Sequence, residues 1–225
     1  MRVSGVLLAA GASTRFGSPK MLAPVGEDRK PLLQKVCETW LEAGIDDLLI
    51  VLGCGADDIR VALEENLRRK KNTEEDLLRK VKRAESAAAS VRFVENPNWE
   101  AKMFSSVQAG LAATAADSTH VALSPADLPF LGKESLRRVL SAVASLDAGG
   151  SSLVVPTHAG RRGHPLLIPA ALRSRLLSWP DSARLNQLLD EPDVTVHYLE
   201  GFDETILRDV DTPGDLLKPY SCLSR

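Results

Sequence analysis

The chain has 225 residues, enough to bury a core of its own, and its 28 basic and 30 acidic side chains leave a net charge of −2. That balance excludes a general electrostatic attraction to nucleic acid or to an anionic membrane surface. Three well-separated cysteines, Cys37, Cys54 and Cys222, form no Cys-x-x-Cys pair, which disfavours a zinc site and a disulfide framework alike.

In chain order, the first signal is the apolar run Val3, Val6, Leu7 and Leu8, which fits a central strand of a parallel sheet. It breaks into the small-residue loop Ala9-Ala-Gly-Ala-Ser-Thr-Arg-Phe-Gly-Ser-Pro-Lys20. Small residues let backbone N–H groups approach an anion, while Arg15 and Lys20 add the full charges that a triphosphate requires. Two familiar phosphate loops do not fit. Lys20 lies between Pro19 and Met21, so the Walker pattern lacks its hydroxyl, and Gly11 and Gly17 do not have dinucleotide-fingerprint spacing.

Further strand-like runs at 48–52, 91–94, 120–123 and 153–155 alternate with helical patterns at 32–43, 56–67, 105–115 and 134–145. This alternation predicts a mostly parallel sheet with helices on both faces. Residues 66–90 read as a charged helical insertion, with Thr73-Glu-Glu-Asp76 as a helix start. Beyond residue 155 the turn-rich Thr157-His-Ala-Gly-Arg-Arg-Gly-His-Pro165 predicts a hairpin-like excursion. Helices at 170–177 and 183–189, alternating Val194, Val196 and Tyr198, and the pair Ile206 and Leu207 follow. We expect one domain over 1–225, with 156–200 covering the substrate end of the sheet. The N-terminus enters strand-like residues without a signal pattern, and no apolar stretch reaches the roughly 18 residues a membrane span needs, so a cytoplasmic protein is expected.

Asp127 follows the 120–123 run and so should lie at a strand's C-terminal end, where open α/β sheets bind ligands and where it could hold Mg²⁺ or simply shape a turn. A second carboxylate is expected from Asp209 or Asp211, two residues apart and so on one face if that stretch is a strand. Gly160, Arg162, Gly163 and His164 could form an acceptor loop, its glycines permitting close approach and its cation meeting a phosphate. His120 lies in a strand-like run, and His158 and His197 have no partner spacing, so none of the three receives a role.

Six pieces in order resemble the MobA-like nucleotidyltransferases, and among them the molybdenum cofactor cytidylyltransferases. They are Leu8 to Lys20, Asn96-Pro-Asn-Trp99 with Met103-Phe-Ser-Ser-Val-Gln-Ala-Gly-Leu111, Pro125-Ala-Asp-Leu-Pro129, Gly160 to Pro165, Asp181-Ser-Ala-Arg184, and Asp209-Val-Asp-Thr-Pro213. The resemblance implies a three-layer α/β/α Rossmann-like nucleotidyltransferase fold. It also implies transfer of CMP from CTP to the phosphate of molybdopterin with loss of pyrophosphate, Mg²⁺ as cofactor, and a molybdoenzyme as recipient of the product.

On this resemblance Arg15, Lys20 and Asp127 are the catalytic group, and Asp127 and Asp211 hold the metal. Leu8, Ala9, Ala10, Gly11, Ser13 and Ser106 bind the nucleotide. Arg162, Gly163, His164 and Arg184 bind the acceptor. Ala10 favours CTP, since guanylyltransferase relatives carry Ala-Gly-Gly at this loop. Lys102 and Phe16 depart from the usual Gly and Met, which leaves open GTP, a sugar phosphate or another small phosphorylated acceptor. A non-catalytic nucleotide-binding delivery partner is the remaining alternative.

Overall fold

The computed structural model describes residues 2–69, 90–146 and 151–217. Strand β1 (Val3–Ala9) is the axis of the fold, flanked in parallel by β4 (Asp47–Leu52) on one side and β6 (His120–Pro125) on the other, with β5 (Ser90–Glu95) beyond β4. The order then continues through β9 (Leu166–Pro169), β7 (Ser152–His158) and β10 (Thr195–Leu199), so the main sheet runs β10-β7-β9-β6-β1-β4-β5. Strand β9 pairs antiparallel with both neighbours, β6 and β7, whereas β10 runs parallel to β7. The sheet is mostly parallel, as the alternation of strands and helices predicts.

Alternate residues of each strand feed two separate cores. Leu7, Leu48, Ile50 and Leu52 pack beneath helices α1 (Leu32–Glu42), α2 (Ala56–Arg69) and α4 (Lys133–Leu146), through Leu33, Ile59 and Val139 among others. Val6, Leu49, Val51 and Leu123 face the other way, against Phe104, Val107 and Leu111 of α3 (Met103–Ala113) and Leu176 of α5 (Arg173–Leu177). Two layers of helices on one sheet give the expected three-layer Rossmann-like fold. Gly110 allows α3 to lie close on the sheet, since a Cβ there would stand 2.5 Å from Val6 Cγ1.

The excursion after β7 is a hairpin: β8 (Arg161–Arg162) pairs antiparallel with Thr157 and His158. A short second sheet joins β2 (Pro24–Val25) to β3 (Lys30–Pro31). Two expectations, the helix at 183–189 and the strand face at 209–211, need correction. Residues 183–189 are not an α-helix but a 3-10 turn over Leu185–Asp190. Ile206 and Leu207 end another 3-10 turn, Glu204–Leu207. Asp209 and Asp211 therefore do not share a strand face: residues 208–211 are irregular, and Val210 N–H donates instead to the Asp127 carbonyl at 2.9 Å. In place of a ladder, the segment is fixed by that one backbone hydrogen bond to the neighbouring loop. The charged insertion beyond Arg69, with Thr73 to Asp76, lies outside the described residues.

Candidate active site

The C-terminal edges of β1 and β6 open onto a cavity of about 520 Å³. Its floor is the turn after β1, where Leu8, Ala9, Ala10 and Gly11 line the space. A Cβ on Gly11 would meet nothing within 4 Å, so this part of the loop faces open volume. The turn closes at Ser13, which takes a left-handed φ of 53°. Its carbonyl accepts from the N–H groups of Phe16 at 2.9 Å and Gly17 at 3.3 Å, and its hydroxyl accepts from Lys20 N–H at 3.3 Å. Ser13 thereby fixes the loop that carries both Arg15 and Lys20.

Those two cations converge on the predicted carboxylates. Lys20 Nζ lies 2.7 Å from Asp127 Oδ2 and 3.6 Å from Asp211 Oδ1. Arg15 grips Asp211 with both terminal nitrogens, at 2.9 and 3.0 Å. The four side chains, from stretches nearly 200 residues apart, form one ion network. Lys20 and Asp127 are mostly buried, with side chains 11% and 18% exposed, while Arg15 is 73% exposed and free to exchange partners.

The network is not saturated. Asp127 Oδ1 is buried and has no hydrogen-bond partner among the described residues. An orphaned carboxylate oxygen of this kind costs free energy unless something supplies positive charge to it. Asp209 stands at the same place, and its carboxyl is held above the usual carboxylate range by burial first and then by the negative charges of Asp127 and Asp211. A hard cation with oxygen ligands fits this donor set.

A second cavity, about 640 Å³, adjoins the first and shares Leu8, Met103, Pro125, Arg162 and His164 with it. Its walls are largely carbon, from Phe104, Val107, Leu123, Val155, Leu166 and Leu189, and Arg162, Arg184 and Lys102 supply charge to its lining. His164, at the seam, keeps its Nδ1 buried and unpartnered. Burial pushes its pKa below the ordinary histidine value, and nearby Asp127 pulls it back only in part. The seam therefore carries a neutral imidazole beside the Arg162 guanidinium.

All of the residues expected to bind nucleotide, Ser106 included, line the first cavity, and Arg162, Gly163, His164 and Arg184 line the second. Gly163 needs a different explanation from the expected one. A Cβ there would lie 2.6 Å from Ile206 Cδ1 and 2.8 Å from the Ile206 carbonyl, so the close approach it permits is to the chain itself. Its N–H donates to the Pro156 carbonyl at 2.8 Å, and His164 N–H to that of Ile206 at 2.9 Å. Gly163 thus locks the hairpin onto the 3-10 turn and aims its neighbours. Sequence reasoning missed Trp99, Met103 and Arg161, which also line the first cavity. The Asn96-Pro-Asn-Trp99 piece was the available signal, but nothing in its composition says that an indole faces a ligand.

Comparison with known proteins accords with this geometry. Residues 5–196 match the MobA-like NTP transferase domain. Nicotine blue oxidoreductase of Paenarthrobacter nicotinovorans is 31% identical over 214 residues, covering 93% of this chain and 92% of that protein. Among solved structures, a nucleotidyl transferase from Methanothermobacter thermautotroptrophicus superposes with a TM-score of 0.71 at 21% identity, over 96% of this chain and 94% of the other. Rv0371c from Mycobacterium tuberculosis H37Rv, in complex with manganese, gives 0.65 at 24% identity over 96% of each. At such identities the structural likeness speaks for the fold, whereas the domain match spans most of the sequence: the chain belongs to the MobA-like NTP transferase domain family.

Proposed function

We propose that this protein transfers CMP from CTP to the phosphate of molybdopterin, with Mg²⁺ as the cation, releasing pyrophosphate and forming the cytosine dinucleotide cofactor that a molybdoenzyme would receive. The carrying observation is the unsatisfied Asp127 carboxylate, set among Lys20, Arg15 and Asp211 at the mouth of a small-residue loop. In the reaction an acceptor phosphate oxygen bonds to the α-phosphorus as the bond from that phosphorus to the bridging oxygen breaks, and pyrophosphate departs with the electron pair. Anion attacks anion, so catalysis is mainly positioning and charge neutralisation.

The backbone of Ala10 and Gly11 and the Ser106 hydroxyl would hold the base. Arg15 would leave Asp211 for the β- and γ-phosphates, and Lys20 would stay near the α-phosphate, steadied by Asp127. Asp127 and Asp211 would hold the cation, which when bound supplies Lewis-acid charge to the phosphate oxygens. Arg162 and Arg184 would orient the acceptor phosphate, and neutral His164 would offer a hydrogen bond without competing for that charge.

The carbon-lined second cavity supports a ring-bodied acceptor over a sugar phosphate, whose hydroxyls would go unpaired against Leu123, Val155 and Leu166. Pyrophosphate release should be measured with CTP, GTP, ATP and UTP, Mg²⁺ and molybdenum cofactor. CTP is expected to be the preferred donor, and preference for GTP would reject the base assignment. Transfer to sugar phosphates at the same rate would reject the acceptor.

A second reading is oxidoreductase action, favoured by the 31% identity to nicotine blue oxidoreductase. Reduction or oxidation of nicotine blue with a supplied two-electron redox partner, without pyrophosphate release from any triphosphate, would establish it instead.

A further inference from the structure

We infer that Trp99 is the stacking wall for the nucleobase, and that Gly53 and Asn96 are the positioning residues that hold it there; the inference rests on the first cavity being a nucleotide site, as proposed above. The cavity has two chemically different ends. One carries Arg15, Lys20 and Asp127, and the other brings Trp99 together with Ala10. Trp40 is fully buried and Trp179 is stacked on Phe104 with ring centroids 5.9 Å apart, so both indoles are committed to the core and its edge. Trp99 is half-buried and lines the open volume.

The indole is placed from two sides. A Cβ on Gly53, just past β4, would stand 2.5 Å from Trp99 Cβ, 2.7 Å from its Cγ and 2.7 Å from the Ala10 carbonyl oxygen. Only a residue without a side chain lets the root of the indole and the loop after β1 crowd the same point. Cys54 N–H fastens that loop by donating to the same Ala10 carbonyl at 3.1 Å.

From the other side, Asn96 is nearly fully buried and donates through Nδ2 to the hydroxyls of Ser105 at 2.8 Å and Ser106 at 2.9 Å. Its Oδ1 accepts from Asn98 N–H at 3.0 Å, and the Ser105 hydroxyl donates to the Asn98 carbonyl at 3.0 Å. The residues leading into Trp99 and the first turn of α3 are therefore one hydrogen-bonded unit. Ser106 and the indole face the ligand in a fixed relation, with Ala10 completing the third side.

A π-face accepts every base, so Trp99 supplies affinity while the polar groups of Ala10, Gly11 and Ser106 supply identity. The test uses the full chain and binding of CTP and GTP by calorimetry, alongside tryptophan fluorescence. CTP should quench the wild-type emission, and Trp99→Phe should lose the quench while binding CTP within about twofold of wild type, because a phenyl ring still stacks. Trp99→Ala should weaken CTP and GTP by a similar factor, about tenfold, raising KM with kcat at saturation preserved. Gly53→Ala should also raise KM without changing kcat, and Asn96→Asp, which keeps the acceptor for Asn98 but loses the donor to both serines, should do the same. Normal CTP affinity in Trp99→Ala, or loss of one base only, overturns the inference and leaves the nucleotide site standing. Failure of the wild type to bind any nucleoside triphosphate overturns both.

Discussion

An aspartate stands at each end of strand β1, and the two are treated in opposite ways. At the N-terminal end, Asp47 has every lone pair in use. Its Oδ1 accepts from Arg92 Nε at 3.1 Å and Nη2 at 2.7 Å, and its Oδ2 from the Ser4 hydroxyl at 2.5 Å and Ala115 N–H at 3.4 Å. At the C-terminal end, Asp127 has one oxygen on Lys20 and the other on no polar group among the described residues. A satisfied carboxylate ties elements together, whereas an unsatisfied one is held ready for a ligand that completes it. On the proposed function, the difference separates a residue of the fold from a residue of the reaction, although both acids sit beside the same central strand.

The sharpest way to break that comparison is to remove each acid in turn. Asp127→Asn keeps the shape and takes away the charge, and is expected to lower nucleotidyl transfer by about a thousandfold or more, since charge placed at the reacting phosphate is the main source of rate. Its thermal midpoint should move little, because the lost partner, Lys20, still has Asp211 within 3.6 Å. Asp47→Ala should do the reverse. It removes the buried acceptor shared by the Ser4 hydroxyl, the Ala115 N–H and the Arg92 guanidinium, and should destabilise by about 3 kcal/mol as read from urea unfolding. Activity per folded molecule should remain. If Asp47→Ala loses turnover while stable, or Asp127→Asn unfolds, the two roles are misassigned.

Arg15 sharpens the contrast at the next level. Its side chain is mostly exposed, and its pair with Asp211 is a surface ion pair of little worth to stability. Arg15→Gln should leave the unfolding midpoint unchanged while raising the KM for the triphosphate by about tenfold, measured by pyrophosphate release at constant acceptor.

How much of this was legible beforehand follows from what kind of signal each part leaves. The central strands were visible as unbroken apolar runs buried on both faces, such as Leu48 to Leu52, and the four long helices because burial on one face imposes a period, which Val36, Cys37 and Trp40 obey. Arg15, Lys20, Asp127 and Asp211 were visible because charged residues beside small-residue turns are rare enough to stand out. Asp209 and Asp211 were expected on a strand and lie on an irregular segment, because a single hydrogen bond from Val210 to the Asp127 carbonyl has no periodic trace. The roles of Gly163 and Gly53 were hidden for a related reason. What a missing Cβ makes room for, Ile206 in one case and Trp99 in the other, is decided by residues more than 40 positions away.

The smallest effect expected is one of pH, and it belongs to the ligand end alone. Burial holds the His164 pKa below its ordinary value of 6.5, so the folded protein keeps this imidazole neutral where the unfolded chain protonates it. Stability from this group is therefore intact above the unfolded pKa. It declines as pH falls from there toward the lower folded value, because in that window the unfolded state binds more protons. Urea midpoints measured at about pH 7.5 and about pH 5.5 should fall less for His164→Gln than for the wild type, the other three histidines being common to both and cancelling. The Asp47→Ala variant should keep the wild-type difference between the two pH values on its lower baseline. Equal slopes for wild type and His164→Gln would mean that folding does not lower the pKa of the imidazole at the seam.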